Sequence, residues 1–201
     1  MISGITIIDY SKPVTLFFKG TDDERKAKMY TVYVHTFTGL PLLWIDTDGK
    51  KDIVGRDEYI RGVFRLEEGV TTRGAGDVIV DSMSIKGRGN TTWSKPKKPY
   101  RLKLDHKQPL FDEPKDKSWV LLSNYFDKTM LRISTAFYLG SLSNLEYTHS
   151  CHFVELMLNG KYNGTYLLCD KLKIGPNRIN VGDDGFLIEL DVKRPEDEGK
   201  A

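Results

Sequence analysis

Asp77-Val78-Ile79-Val80-Asp81-Ser82-Met83-Ser84-Ile85-Lys86 runs into Gly87-Arg88-Gly89-Asn90, and past a proline-rich bend at residues 95–99 the chain resumes as Tyr100-Arg101-Leu102-Lys103-Leu104. Side chains in a strand point to opposite faces with a period of two, so the second arm places Tyr100, Leu102 and Leu104 on one face and Arg101, Lys103 and Asp105 on the other. One face suits a core and the other something polar. The glycine-punctuated loop between the arms ends the first strand and lets the second return beside it. The stretch therefore reads as strand, loop, strand in an antiparallel sheet.

Other segments extend that sheet. Residues 42–46 form a strand pattern running into a turn at Thr47-Asp48-Gly49-Lys50, and residues 59–67 alternate again. Phe153-Val154-Glu155-Leu156-Met157-Leu158 turns at Asn159-Gly160 and returns through Tyr166-Leu167-Leu168-Cys169, a hairpin signal, and residues 186–190 read as a last strand. Residues 127–142 have helical spacing, with Asp127 as N-cap and Leu131 and Phe137 on the buried face. The fold class expected is α+β, a mostly antiparallel twisted sheet with one main helix packed on it. Short β-like runs at residues 5–8, 14–18 and 30–34, with a charged turn at 21–28, make residues 1–38 either the tail end of a preceding β-sandwich-like domain or extra strands on the main sheet. Residues 39–192 form the main domain, and 193–201 a polar tail.

Composition narrows the functions. A chain of 201 residues can bury a core without disulfides, and its formal net charge of +2 does not by itself call for a nucleic-acid partner. No run is long and apolar enough to span a membrane, and the start has no signal-peptide zones; the chain is cytoplasmic, or its export signal lies upstream. The two cysteines, Cys151 and Cys169, are too few for a disulfide framework. Regular pairing from an Asn159-Gly160 turn sets them one residue out of step, on opposite faces, and a bulge near Asn163-Gly164 restores the match. With His149 and His152 they leave zinc, a disulfide or neither open at the base of the hairpin, and no metal site is assigned.

The densest chemistry lies between Lys86 and Lys107, where Lys86, Arg88, Lys95, Lys97, Lys98, Arg101, Lys103 and Lys107 have almost no acidic neighbours. Backbone N–H groups of a glycine loop and flanking cations are what a polyphosphate requires, although the loop matches neither a Walker motif nor Gly-x-Gly-x-x-Gly. A hydrated basic surface is the competing reading. Trp93, Trp119, Tyr125 and Tyr166 suit stacking on a base, but such aromatics more often pack.

The string Ile85-Lys86-Gly87-Arg88-Gly89-Asn90-Thr91-Thr92-Trp93 with Pro96-Lys97-Lys98-Pro99-Tyr100-Arg101-Leu102-Lys103 resembles the signature of the CotH kinase family, atypical protein kinases named for a spore-coat kinase. Collinear blocks follow at Lys117-Ser118-Trp119, Asn124-Tyr125, Asp127-Lys128 with Arg132, Phe153-Val154-Glu155-Leu156 with Asn159-Gly160, and Gly185-Phe186-Leu187-Ile188-Glu189-Leu190-Asp191. The resemblance implies an N-terminal portion of such a kinase, with the sheet and helix as its N-lobe, that uses ATP and Mg²⁺ to phosphorylate Ser or Thr of a protein acceptor. It implies Lys103, then Arg101, at the phosphates, with Lys86, Arg88, Gly89 and Asn90 in the loop; Arg132 and Glu155 would order the cleft. Cys169-Asp170 stands where the family usually reads Thr-Glu, and Asp170 would belong to the adenine hinge. The acids that position the hydroxyl and hold the metal would lie beyond Asp191, so the fragment is expected to be inactive alone. An exported or cell-surface location is also implied. The alternative is a non-catalytic adhesion or ligand-binding module on the same fold; a nucleic-acid binder is disfavoured by the modest charge.

Overall fold

The computed structural model describes residues 14–18, 28–32, 39–68, 70–71, 74–75 and 78–188. The chain divides into two compact units, Met1–Gly39 and Leu40–Ala201. In the first, β1 (Val14–Phe18) pairs antiparallel with β2 (Lys28–Val32), Val14 opposite Val32. The strand expected at 5–8, most of the turn at 21–28 and the tail at 193–201 lie outside the described residues.

The second unit is a β-barrel. Its strands are β3 (Leu42–Thr47), β4 (Ile60–Glu67), β7 (Val78–Gly87), β8 (Tyr100–Gln108), β9 (Asp116–Leu122), β10 (Cys151–Leu158) and β11 (Lys161–Asp170), while β5 (Val70–Thr71) and β6 (Gly74–Ala75) form a separate short ladder. The closed order is β10-β11-β9-β8-β7-β4-β3. Neighbours pair antiparallel except at the closing seam, where β3 and β10 run parallel with Leu43 beside Leu156. Alternate residues from each strand fill the interior: Phe64, Met83, Leu102, Leu121, Leu156 and Leu168 are fully buried or nearly so and belong to one cluster. A barrel of about this strand number has an interior that side chains just fill, and each such burial stabilises by roughly 1.5–3 kcal/mol.

The α+β expectation of an open sheet with one packed helix is therefore corrected to a closed barrel with one external helix. Hairpins announce themselves locally, through turn residues and alternation. The β3·β10 seam joins the third and tenth strands and leaves no local mark, because each strand reads the same whether its free edge meets solvent or a distant partner.

The helix is also shorter than expected. α1 spans Arg132–Ser141 rather than 127–142, and none of its residues is buried. Asp127 acts before it, where Oδ1 accepts from the Thr129 hydroxyl at 2.7 Å and Oδ2 accepts from the Arg132 N–H at 2.9 Å. These bonds spend the carboxylate on a turn and one orphan amide of the first helical turn. Leu131, expected inside, is 55% exposed. Phe137 is half-buried and packs with Ile133 against the outward-facing Val120, Leu167 and Cys169, a small second cluster outside the barrel wall. Residues 186–188 form no strand, and 189–190 lie outside the described residues. Among the described residues no helix is long and apolar enough to cross a membrane.

Candidate functional site

Outward-facing positions of adjacent strands make a continuous row. Arg101 on β8 lies opposite Val120 on β9, Val120 opposite Cys169 on β11, and Cys169 opposite Cys151 on β10. Beside this row is a cavity of about 550 Å³, lined by Arg88, Arg101, Val120, Leu122, Phe137, His149, Cys169, Asp170, Lys171 and Leu172. That volume lies within the usual range for small-molecule and cofactor sites. Phe137 comes from α1, so the helix supplies one wall and the barrel another.

The basic loop reaches the cavity through Arg88 and Arg101. Arg88 follows directly on β7, and its N–H donates to Pro99 O at 3.2 Å just before β8 starts, which ties the two ends of the loop together. Gly87 N–H donates to Gly55 O at 2.9 Å, and a Cβ there would stand 2.4 Å from the Trp93 ring, so only glycine lets the indole close over the strand end. Gly89 sits at φ +81, a left-handed conformation suited to glycine. Arg56 Nη1 donates to Gly89 O at 3.0 Å and to Asn90 Oδ1 at 3.3 Å and so supports the loop from outside. Among the described residues neither Arg88 nor Arg101 pairs with a carboxylate. Burial pushes the Arg88 guanidinium below its ordinary value, and the charge of Arg101 pushes it the same way. Arginine still stays protonated, so the cavity holds two poorly compensated positive charges.

Other members of the basic cluster have internal partners. Lys86 donates to Asp57 O at 3.3 Å and lies over the Tyr59 ring. Lys97 donates to Thr165 O and lies over Tyr166, while Lys98 donates to Trp93 O at 2.6 Å. Lys95 lies over Phe126. Lys103 is exposed one outward position along β8 from Arg101 and does not line the cavity. Arg132 is exposed at the start of α1, 3.7 Å from Asp127. Glu155 is buried away from the cavity lining, where it accepts from the Tyr162 hydroxyl at 3.1 Å.

Asp170, by contrast, is buried on the cavity wall as the hub of a polar cluster. Its Oδ1 lies 2.7 Å from His149 Nδ1, its Oδ2 accepts from the Tyr147 hydroxyl, and Arg178 Nε is 3.4 Å from Oδ2. Burial, then the bond to Asp170, pushes the Tyr147 phenol up. Arg178 also lies 5.2 Å over the Trp119 ring. Sequence reasoning did not find Tyr147, Lys171, Leu172 or Arg178 as site residues; it noticed His149 only as a possible zinc ligand. The adjacency of Lys171 and Leu172 to Cys169-Asp170 was the one available signal, since Tyr147 and Arg178 reach Asp170 from separate loops.

His152 Nε2 is 3.0 Å from Glu113, so both histidines near the cysteines are engaged with carboxylates. Among the described residues no group of three or more His, Cys, Asp and Glu side chains is placed to hold a metal ion. The expected bulge is present: between Glu155 opposite Thr165 and Met157 opposite Tyr162 the register shifts, two residues of β11 face one of β10, and Cys151 comes directly opposite Cys169.

A family model described as CotH kinase protein matches residues 85–199, more than half of the chain, and covers the loop, Arg101, α1 and Asp170. No curated protein matches the chain.

Proposed function

The chain belongs to the CotH kinase family, and from that premise we propose that the cavity beside α1 binds ATP, in service of protein Ser/Thr phosphorylation. The observation that carries this reading is the convergence of Arg88 and Arg101, without a carboxylate partner among the described residues, on a cavity that also has apolar walls. A triphosphate supplies the missing negative charge, and charge-assisted bonds from guanidinium to phosphate are among the stronger ones. Leu122, Phe137 and Leu172 offer apolar surface to a base. Lys103 is two residues from Arg101, roughly 7 Å along the strand, and is proposed to meet the outermost phosphate. Asp170 and Lys171, at the end of β11, are proposed as the segment beside the base.

ATP, when bound, supplies the transferable phosphoryl group; the residues described here bind and orient. Asp170 is the carboxylate on the cavity wall among the described residues, and His149, Tyr147 and Arg178 already engage it. It does not fit a role as magnesium ligand or base without giving up those bonds, so no step through Mg²⁺ is derived. We accordingly expect nucleotide binding without phosphoryl transfer from this chain alone. Isothermal titration with ATP, with and without Mg²⁺, tests the binding, and labelled-phosphate transfer to a serine-rich acceptor tests the second part. Equal heats from wild type and an Arg88→Ala, Arg101→Ala double variant would remove the proposal.

A further inference from the structure

We propose that Cys151 and Cys169, the second of which lines the cavity, form a reversible dithiol–disulfide pair, closed by exchange with a low-molecular-weight disulfide of the glutathione class. The register carries the argument. The bulge brings the two residues directly opposite, and the bond from Asp170 N–H to Ser150 O, 3.3 Å, makes theirs a non-hydrogen-bonded position of the antiparallel ladder. Facing Cα atoms are closest at such positions, about 4.5 Å apart, within the range a disulfide spans. Both thiols are free. No bulge means no pair, because the side chains would then point to opposite faces of the sheet.

The two thiols differ in a way that orders the reaction. Cys151 is half-buried and Cys169 is buried, so a reagent meets Cys151 first. The interaction between the two thiols lowers Cys151 below its ordinary value and raises Cys169, with burial also raising Cys169. The more accessible sulfur is thus also the better thiolate. Cys151 loses its proton and attacks one sulfur of the small disulfide, releasing one small thiolate and leaving a mixed disulfide. Cys169 then loses its proton and attacks the Cys151 sulfur, releasing the second small thiolate. Each thiolate takes up one of the protons, so the protein gives up two electrons and two protons and the small disulfide becomes two thiols. Excess small thiol reverses the sequence.

The test uses the full chain and needs no nucleotide. Reduced protein is incubated with glutathione disulfide, quenched, alkylated under denaturing conditions and weighed by intact mass spectrometry. Wild type is expected to show neither alkylation nor retained glutathione, and to melt about 5 °C higher than the reduced form. Cys169→Ser is expected to stop at glutathione bound to Cys151, since nothing can resolve it. Wild type that remains doubly alkylated, or that keeps glutathione on Cys151 with Cys169 free, overturns the proposal. The wild-type masses decide this even if the variant does not fold.

Discussion

Arg88 and Arg101 reach one cavity from the two ends of a single loop, and burial together with the Arg101 charge makes the charge of Arg88 harder to hold. A site of this kind gains when an anion arrives and loses little when one cation is removed in its absence. Arg101→Met is therefore expected to leave the unliganded melting temperature unchanged or slightly higher. Its affinity for ATP should fall about 10- to 100-fold, the equivalent of losing a charged hydrogen bond worth 1.5–3 kcal/mol. Thermal shift and titration on the same samples read both, and a variant that loses stability but keeps affinity would contradict this account.

Asp170 sets the opposite case, a charge already satisfied. Arg178 has a side chain only 2% exposed, with the Asp170 carboxylate 3.4 Å from its Nε and, among the described residues, no hydrogen-bond partner for Nη2. Removing one member of a buried pair strands the other, so Asp170→Ala should cost about 3–5 kcal/mol. His149→Ala removes the bond to Asp170 and a longer one to the Tyr147 hydroxyl from a half-buried ring and should cost about 1 kcal/mol. Urea unfolding of the two variants measures the difference; equal midpoints would show that Arg178 does not depend on Asp170.

What could be read in advance follows the range of each interaction. Tyr100, Leu102 and Leu104 are buried as their alternation requires, and Asn159-Gly160 turns with both residues at positive φ, 52 and 79, as that dipeptide prefers. Gly164, at φ +88, marks the β11 side of the register shift that unites the cysteines. These are local matters. The seam of Leu43 beside Leu156 and the pairing of Arg178 with Asp170 bring together segments that carry no shared pattern, and so stayed hidden. The basic loop shows the limit most clearly. Eight cations between Lys86 and Lys107 look equivalent in sequence, yet the carbonyls of Thr165 and Trp93 engage Lys97 and Lys98 and leave the cavity to two arginines.

The external position of α1 changes what its aromatic residue is worth. Phe137 covers Val120, Leu167 and Cys169 on one side only, so Phe137→Ala should cost about 1–2 kcal/mol rather than the 3–5 of an enclosed phenylalanine. Leu131→Ala, at a position more than half exposed, should fall within about 0.5 kcal/mol of the parent. Chemical denaturation distinguishes them. A loss of 4 kcal/mol or more at Phe137 would mean that the helix is buried after all.

Acid should weaken the fold in part through Asp116. Burial on its own pushes this carboxyl up, but the Lys173 ammonium at 2.7 Å and the Ser118 N–H at 2.8 Å outweigh it and hold the group below its ordinary value. A carboxyl depressed in the folded state favours folding above its unfolded pKa of about 4, and that contribution fades as pH falls through the folded value. In Lys173→Met the ammonium is gone and the burial remains, so the folded pKa rises and the contribution vanishes at a higher pH or changes sign. Unfolding free energies measured from about pH 2 to pH 6 should show the variant losing stability earlier on the acid side. Parallel curves for parent and variant would mean that Lys173 does not set the titration of Asp116.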